Sequence, residues 1–160
     1  DAASPAEWEY IRYPQKYEKM LKTVEKFLAL QEVFQGRLKL ILRPTVSIYN
    51  VWVFPEVYLW WQQFGNFIFN PTHLTFPQFL SITALPDKFK HRVEKRLREF
   101  FSEDLPPELS QACEYMVHYM WQADHSSQHR AFVEYTRRLD KRRNQDFKKA
   151  LHYLSDLLDI

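Results

Sequence analysis

The alternation of apolar and polar residues changes period twice along this chain, and each change predicts a different kind of element. From Tyr17 to Gln31, the residues Met20, Leu21, Val24, Phe27 and Leu28 recur at helical spacing with Lys and Glu between them. That predicts an amphipathic helix of about four turns. Gly36 breaks the pattern, and from Leu38 to Asn50 the period becomes two. Leu38, Leu40, Leu42, Val46 and Ile48 share one parity, while Lys39, Ile41, Arg43, Thr45 and Ser47 share the other. The second face is mostly polar, which is unusual for a buried strand. It suits a barrel, whose strands turn an apolar face to outer helices and the other to a lumen that holds a polar ligand. Pro44 has no N–H to give a ladder, so it marks the place where a bulge could reverse this parity.

Phe54-Pro55-Glu56 fits a helix start, with Pro near the first helical position and an acid in the first turn. The helix is predicted from Pro55 to Gln63, carrying Tyr58, Trp60 and Trp61, with Gly65 beyond it. A short strand follows from Phe67 to Asn70, then a loop at Asn70-Pro71-Thr72-His73, and Phe79 to Thr83 is read as a further extended piece. Helix, strand, helix, strand in this order predicts parallel strands joined by right-handed crossovers.

Beyond Leu85-Pro86-Asp87 the pattern is helical throughout. Phe89, Val93, Leu97, Phe100 and Phe101 form one stripe, and Leu105-Pro106-Pro107 separates it from a helix bearing Cys113, Met116, Val117 and Met120. Ser126 or Ser127 is the expected N-cap of the next helix, which carries Phe132, Val133, Thr136 and Leu139. Phe147, Leu151, Leu154 and Leu158 make the last stripe, which is expected to be buried. The fold class is α/β: the C-terminal portion of a partial (β/α) barrel with two or three parallel strands over residues 1–101, then a helical region over 102–160.

Composition narrows the chemistry. The 160 residues suffice for one core, and only 2 are Gly, against Gly-rich phosphate loops and turn-dense all-β folds. The net charge of +2 does not favour nucleic acid or another polyanion. A single cysteine excludes an intrachain disulfide and any site needing several thiolates, which points to a reducing, cytoplasmic setting. No run approaches the ~18 apolar residues of a membrane span. The chain opens at Asp1, not Met, and is expected to be a fragment or a processed product.

Individual candidates have plain structural alternatives. His73 stands just past a strand end, where either a ligand contact or a structural hydrogen bond would suit it. His118, His125 and His129 lack tight ligand spacing with supporting carboxylates, so solvated or capping roles are expected instead of metal binding. Cys113 sits on an apolar stripe as a core thiol. The run Arg137, Arg138, Lys141, Arg142, Arg143 reads as a solvated helix face paired with Glu134 and Asp140. Trp52, Trp60 and Trp61 read as core or interface residues and not as a stacking platform.

Asp1-Ala2-Ala3-Ser4-Pro5 with Glu9-Tyr10-Ile11-Arg12, then Ser47-Ile48-Tyr49-Asn50, Asn70-Pro71-Thr72-His73 and Leu85-Pro86, together with Thr136 to Asp140, Arg143 and Phe147, resemble a known pattern. They are similar to the C-terminal part of radical S-adenosylmethionine enzymes with a twitch-type C-terminal region: the ends of the fourth, fifth and sixth barrel strands and the region beyond. The resemblance implies S-adenosylmethionine bound at the strand ends and cleaved at a [4Fe-4S] cluster to a radical that abstracts hydrogen from substrate. It places Asp1 near the cofactor ribose, Ser47 and Asn50 near its ribose or amino-carboxylate end, and Asn70 beside them. The three-cysteine cluster motif is missing, and one thiol cannot replace it. The expectation is therefore a part that is inactive alone, binds the cofactor weakly at most, and is completed by a missing N-terminal barrel half or a partner chain. Against it stands a reading from another class: a non-catalytic, helix-rich protein-interaction module, supported by an aromatic content of 17%.

Overall fold

The structure is a computed structural model that describes residues 1–35, 37–65, 67–101 and 106–159. The expected break at Gly36, the Leu105 separator and the 101/102 boundary fall on or against positions outside these residues. Phe101 ends a described helix, but its side chain is not among those described.

Helix α1 (Pro5–Ile11) begins with a complete capping box, in which Ser4 accepts from the Glu7 N–H and Glu7 accepts in return from the Ser4 N–H. The predicted amphipathic helix is α2 (Tyr17–Val33). Strands β1 (Leu40–Leu42) and β2 (Thr45–Val46) follow, then a 3-10 turn at Val51–Val53 that runs into α3 (Phe54–Gln62). Strands β3 (Phe67–Phe69) and β4 (Thr72–His73) complete the β part. β1 pairs with β3 and β2 with β4, both parallel, so α3 is the crossover between parallel strands.

The two pairings share one register. Leu40 faces Phe67, Leu42 faces Phe69, Thr45 faces Thr72 and Val46 faces His73. Backbone bonds continue through the gap, from Asn70 N–H to Leu42 C=O at 2.9 Å and from Thr72 N–H to Pro44 C=O at 2.9 Å. The next rung of a parallel ladder would be a donation from residue 44 to Asn70 C=O, and Pro44 has no N–H. One missing donor thus divides a single strand pair into two small sheets. Pro44 does not reverse the parity: Leu40, Pro44, Val46 and Ile48 are buried, while Lys39, Ile41 and Arg43 are exposed.

The segment read as extended, Phe79 to Thr83, is instead two successive 3-10 turns, Gln78–Leu80 and Ile82–Ala84. Ser81 separates them and its side chain accepts from the Thr83 N–H, a local bond that competes with a ladder. Ser126 and Ser127 do not cap the following helix. They lie inside a 3-10 turn, Ser126–Gln128, whose first N–H is taken by Asp124 at 2.9 Å.

Helices α4 (Asp87–Phe101), α5 (Pro107–Trp121), α6 (His129–Arg143) and the short α7 (Phe147–Ala150) form the helical part, followed by a 3-10 segment, His152–Leu158. One continuous core joins both parts, containing Tyr10, Ile48 and Tyr49 as well as Leu97, Met116, Phe132 and Leu154. At its centre the rings of Tyr10, Tyr49, Phe132 and Phe147 meet edge-on or tilted, with centroids between 5.7 and 6.1 Å apart. Asp140 locks this cluster by accepting from Tyr10 Oη at 2.8 Å and from the Phe147 N–H at 3.0 Å. No described helix is long and apolar enough to cross a membrane.

Leu151 and Leu154 are wholly buried. Truncation of Leu154 to Ala is expected to cost about 2 to 5 kcal/mol, read as a lower midpoint in equilibrium urea unfolding. An unchanged midpoint would mean that the C-terminal segment does not pack into the core.

Candidate functional site

Of the polar groups that the sequence singles out, Ser47 and Asn50 follow β2, Asn70 follows β3, and Asp1 precedes α1. Three of the four are gathered into one buried knot. Asn50 donates from Nδ2 to Asp1 C=O at 3.0 Å and to Thr45 C=O at 2.9 Å, while its Oδ1 accepts from the Ser47 N–H at 2.8 Å. The Asp1 carboxylate accepts from the Thr45 N–H at 2.8 Å and forms an ion pair with Arg12.

This geometry fixes what each group can do. Both amide hydrogens and the carbonyl of Asn50 are engaged, so its observed role is to tie the turn after β2 to the segment at Asp1. Ser47 Oγ lies 3.4 Å from Asn50 Oδ1 and is the least committed polar atom of the knot. Asn70 is elsewhere. It is exposed on the neighbouring strand, and its backbone N–H belongs to the ladder.

Sequence reasoning missed Arg12, Thr45 and Arg43. Arg12 and Thr45 complete the knot around Asp1, and only the three-dimensional fold brings them there. Arg43 belongs to the other surface, the open face of the strand pair. Continuing the shared register sets Arg43 beside Asn70 and Pro44 beside Pro71. The repeated Pro-Thr of Arg43-Pro44-Thr45 and Asn70-Pro71-Thr72 was the available signal.

His73 does not face this surface. Its ring stacks on Tyr119 with centroids 4.2 Å apart and planes 7° apart, and it also touches Tyr115, so it belongs to the contact with α5. Neither ring nitrogen has a hydrogen-bond partner, and burial pushes the group down to about 4. His125 Nδ1 lies 2.9 Å from Thr83 Oγ1, fastening the turn after α5 to Ile82–Ala84. His129 is buried on α6.

A [4Fe-4S] cluster needs several thiolates. Cys113 is the sole cysteine; it is fully buried, and burial pushes its thiol up, away from the thiolate form. Among the described residues no group of three or more His, Cys, Asp or Glu could hold a metal ion. The residues present do not fit a cluster. For S-adenosylmethionine the knot offers the right polar atoms, but Asp1 and Asn50 already bind other parts of the chain. Comparison with protein-family models, with curated proteins and with solved structures finds no match.

Asn50→Ala should leave Asp1 C=O, Thr45 C=O and the Ser47 N–H without partners, at a cost of about 1 to 3 kcal/mol or more in urea unfolding. A loss below about 0.5 kcal/mol would show that the knot is not structural. The pH dependence has a definite sign. His73 has a folded pKa below the ordinary 6.5, so the unfolded chain binds more protons between about 6.5 and about 4. Stability should fall as the pH drops through that window. His73→Phe, which keeps the stacking, should reduce the slope and leave the part due to His129, whose pKa burial also lowers. An unaltered slope would exclude His73 as the titrating group.

Proposed function

We propose that this chain is the C-terminal part of a radical S-adenosylmethionine enzyme, a partial (β/α) barrel followed by a helical region. In this reading it works in the cytoplasm, is inactive alone, and is completed by a cluster-bearing barrel half from a preceding segment or a partner chain. The observation that carries the reading is the condition of the parallel strand pair. Parallel sheets occur almost only with both faces covered. Here one face packs into the core, while the other leaves Ile41 54% and Ile68 48% exposed side by side. Among the described residues β1 has no neighbour on its second edge. That edge opens on an apolar cleft of about 1090 Å³ between α2 and β1, lined by Val24, Phe27, Leu30, Leu40, Trp61 and Phe67. In this reading a further strand pairs along that edge, and Asp1, Ser47 and Asn50 stand at the mouth of the completed barrel.

The same cleft favours the second reading, an interaction module without catalysis, because Phe27 on α2 at 51% and Phe34 just beyond its end at 49% exposure offer adhesive apolar surface. The reading frame before Asp1 separates the two. A three-cysteine segment encoded there supports the enzyme, and a start codon at that point supports the module.

Titration calorimetry with S-adenosylmethionine, and iron analysis after anaerobic reconstitution, test the fragment reading on the chain itself. The expected outcome is no tight binding and no stoichiometric iron. Tight cofactor binding, or a stoichiometric [4Fe-4S] cluster, would contradict it.

A further inference from the structure

The open face of the strand pair carries a graded set of side chains. Ile41 faces Ile68 at its lower rung and Thr45 faces Thr72 at its upper rung. Arg43 and Asn70 lie between them by the shared register, and Lys39 stands beyond Ile41 on the same parity. Lys39, Arg43, Asn70 and Thr72 are all exposed. Among the described residues no carboxylate pairs with Lys39 or Arg43, although Arg12, Arg92, Arg96 and Arg98 each have an acidic partner.

We infer that this face binds the substrate, and that the substrate is an anion with an apolar body: its carboxylate or phosphate group rests on Arg43, and its hydrocarbon part lies on Ile41 and Ile68. The inference rests on the reading that the face is the lumen side of a barrel, where a ligand is held. Arg43 is exposed with no carboxylate beside it among the described residues, and a guanidinium's planar fork matches carboxylate and phosphate oxygens two at a time. The Asn70 amide and the hydroxyls of Thr45 and Thr72 stand next to that charge and can hydrogen-bond the remaining oxygens. The two isoleucines, open to water here, supply apolar contact for a chain or ring. A cationic substrate would meet Lys39 and Arg43 with like charge and is disfavoured.

The test is NMR titration of the isotopically labelled 160-residue chain with sodium hexanoate, hexyl phosphate and, as the cationic control, hexyltrimethylammonium. At least one of the two anions should give saturable shifts at Ile41, Arg43, Ile68, Asn70 and Thr72. The control should give none. Saturation by hexanoate alone assigns a carboxylate, and saturation by hexyl phosphate alone assigns a phosphate. Arg43→Gln, at an exposed position where folding is checked from the same spectra, should weaken the effective anion about two- to fivefold. No saturable shift with either anion, equal shifts with the cation, or unaltered affinity in Arg43→Gln would overturn the inference. Because the titration uses neither S-adenosylmethionine nor iron, its failure is distinguishable from failure of the fragment reading.

Discussion

The backbone bonds from Asn70, Thr72 and Leu74 to Leu42, Pro44 and Val46 hold two short strands in one parallel register, and the positions of the remaining elements follow from it. That register sets α3 as the crossover, turns Leu40, Val46, Phe67 and Phe69 toward the helices, and leaves Ile41, Arg43, Ile68 and Asn70 on the other side. Parallel strands need long connections and two covered faces. The helical part supplies one cover. The Tyr10, Tyr49, Phe132 and Phe147 cluster, locked by Asp140, joins α1, the turn after β2 and helices α6 and α7 on that side.

Much of this was readable from residue patterns. Helical period marked α2 and the later helices because their apolar residues face one packed side. Period two marked residues 38–48 because the strand separates a covered face from an open one. Reading failed where local hydrogen bonds outweighed the pattern: Ser81 and Asp124 bind nearby N–H groups and fold their segments into 3-10 turns. Pro44 was recognised as a breaker, but its effect is the loss of one rung without a slip, which depends on where its nitrogen points in a ladder that no single strand displays.

The candidate site was legible in part for a related reason. Ser47 and Asn50 could be picked as polar residues beyond a strand end and Asp1 through the resemblance, and the three do meet. Their mutual bonds could not be foreseen, because Asp1 and Asn50 are joined only by the fold. Arg43 carried no motif. It acquires meaning from its place beside Asn70, on a face that the helices leave bare. The chain therefore presents two distinct polar regions: a hydrogen-bonded knot after β2, and a solvent-exposed basic face with an apolar floor.

In the proposed barrel the strand pair is part of a larger sheet, extended across the free edge of β1. In a parallel strand, N–H groups alternate between the two edges, so those of Ile41 and Arg43 point away from β3. Amide hydrogen exchange measures them directly, in this chain alone and in the longer protein that the proposed upstream segment would make. Fast exchange is expected at Ile41 and Arg43 in the chain alone, with Leu42, Ile68 and Asn70 protected, and protection of all five in the longer protein. Protection of Ile41 and Arg43 in the chain alone, or fast exchange there in the longer protein, would contradict it.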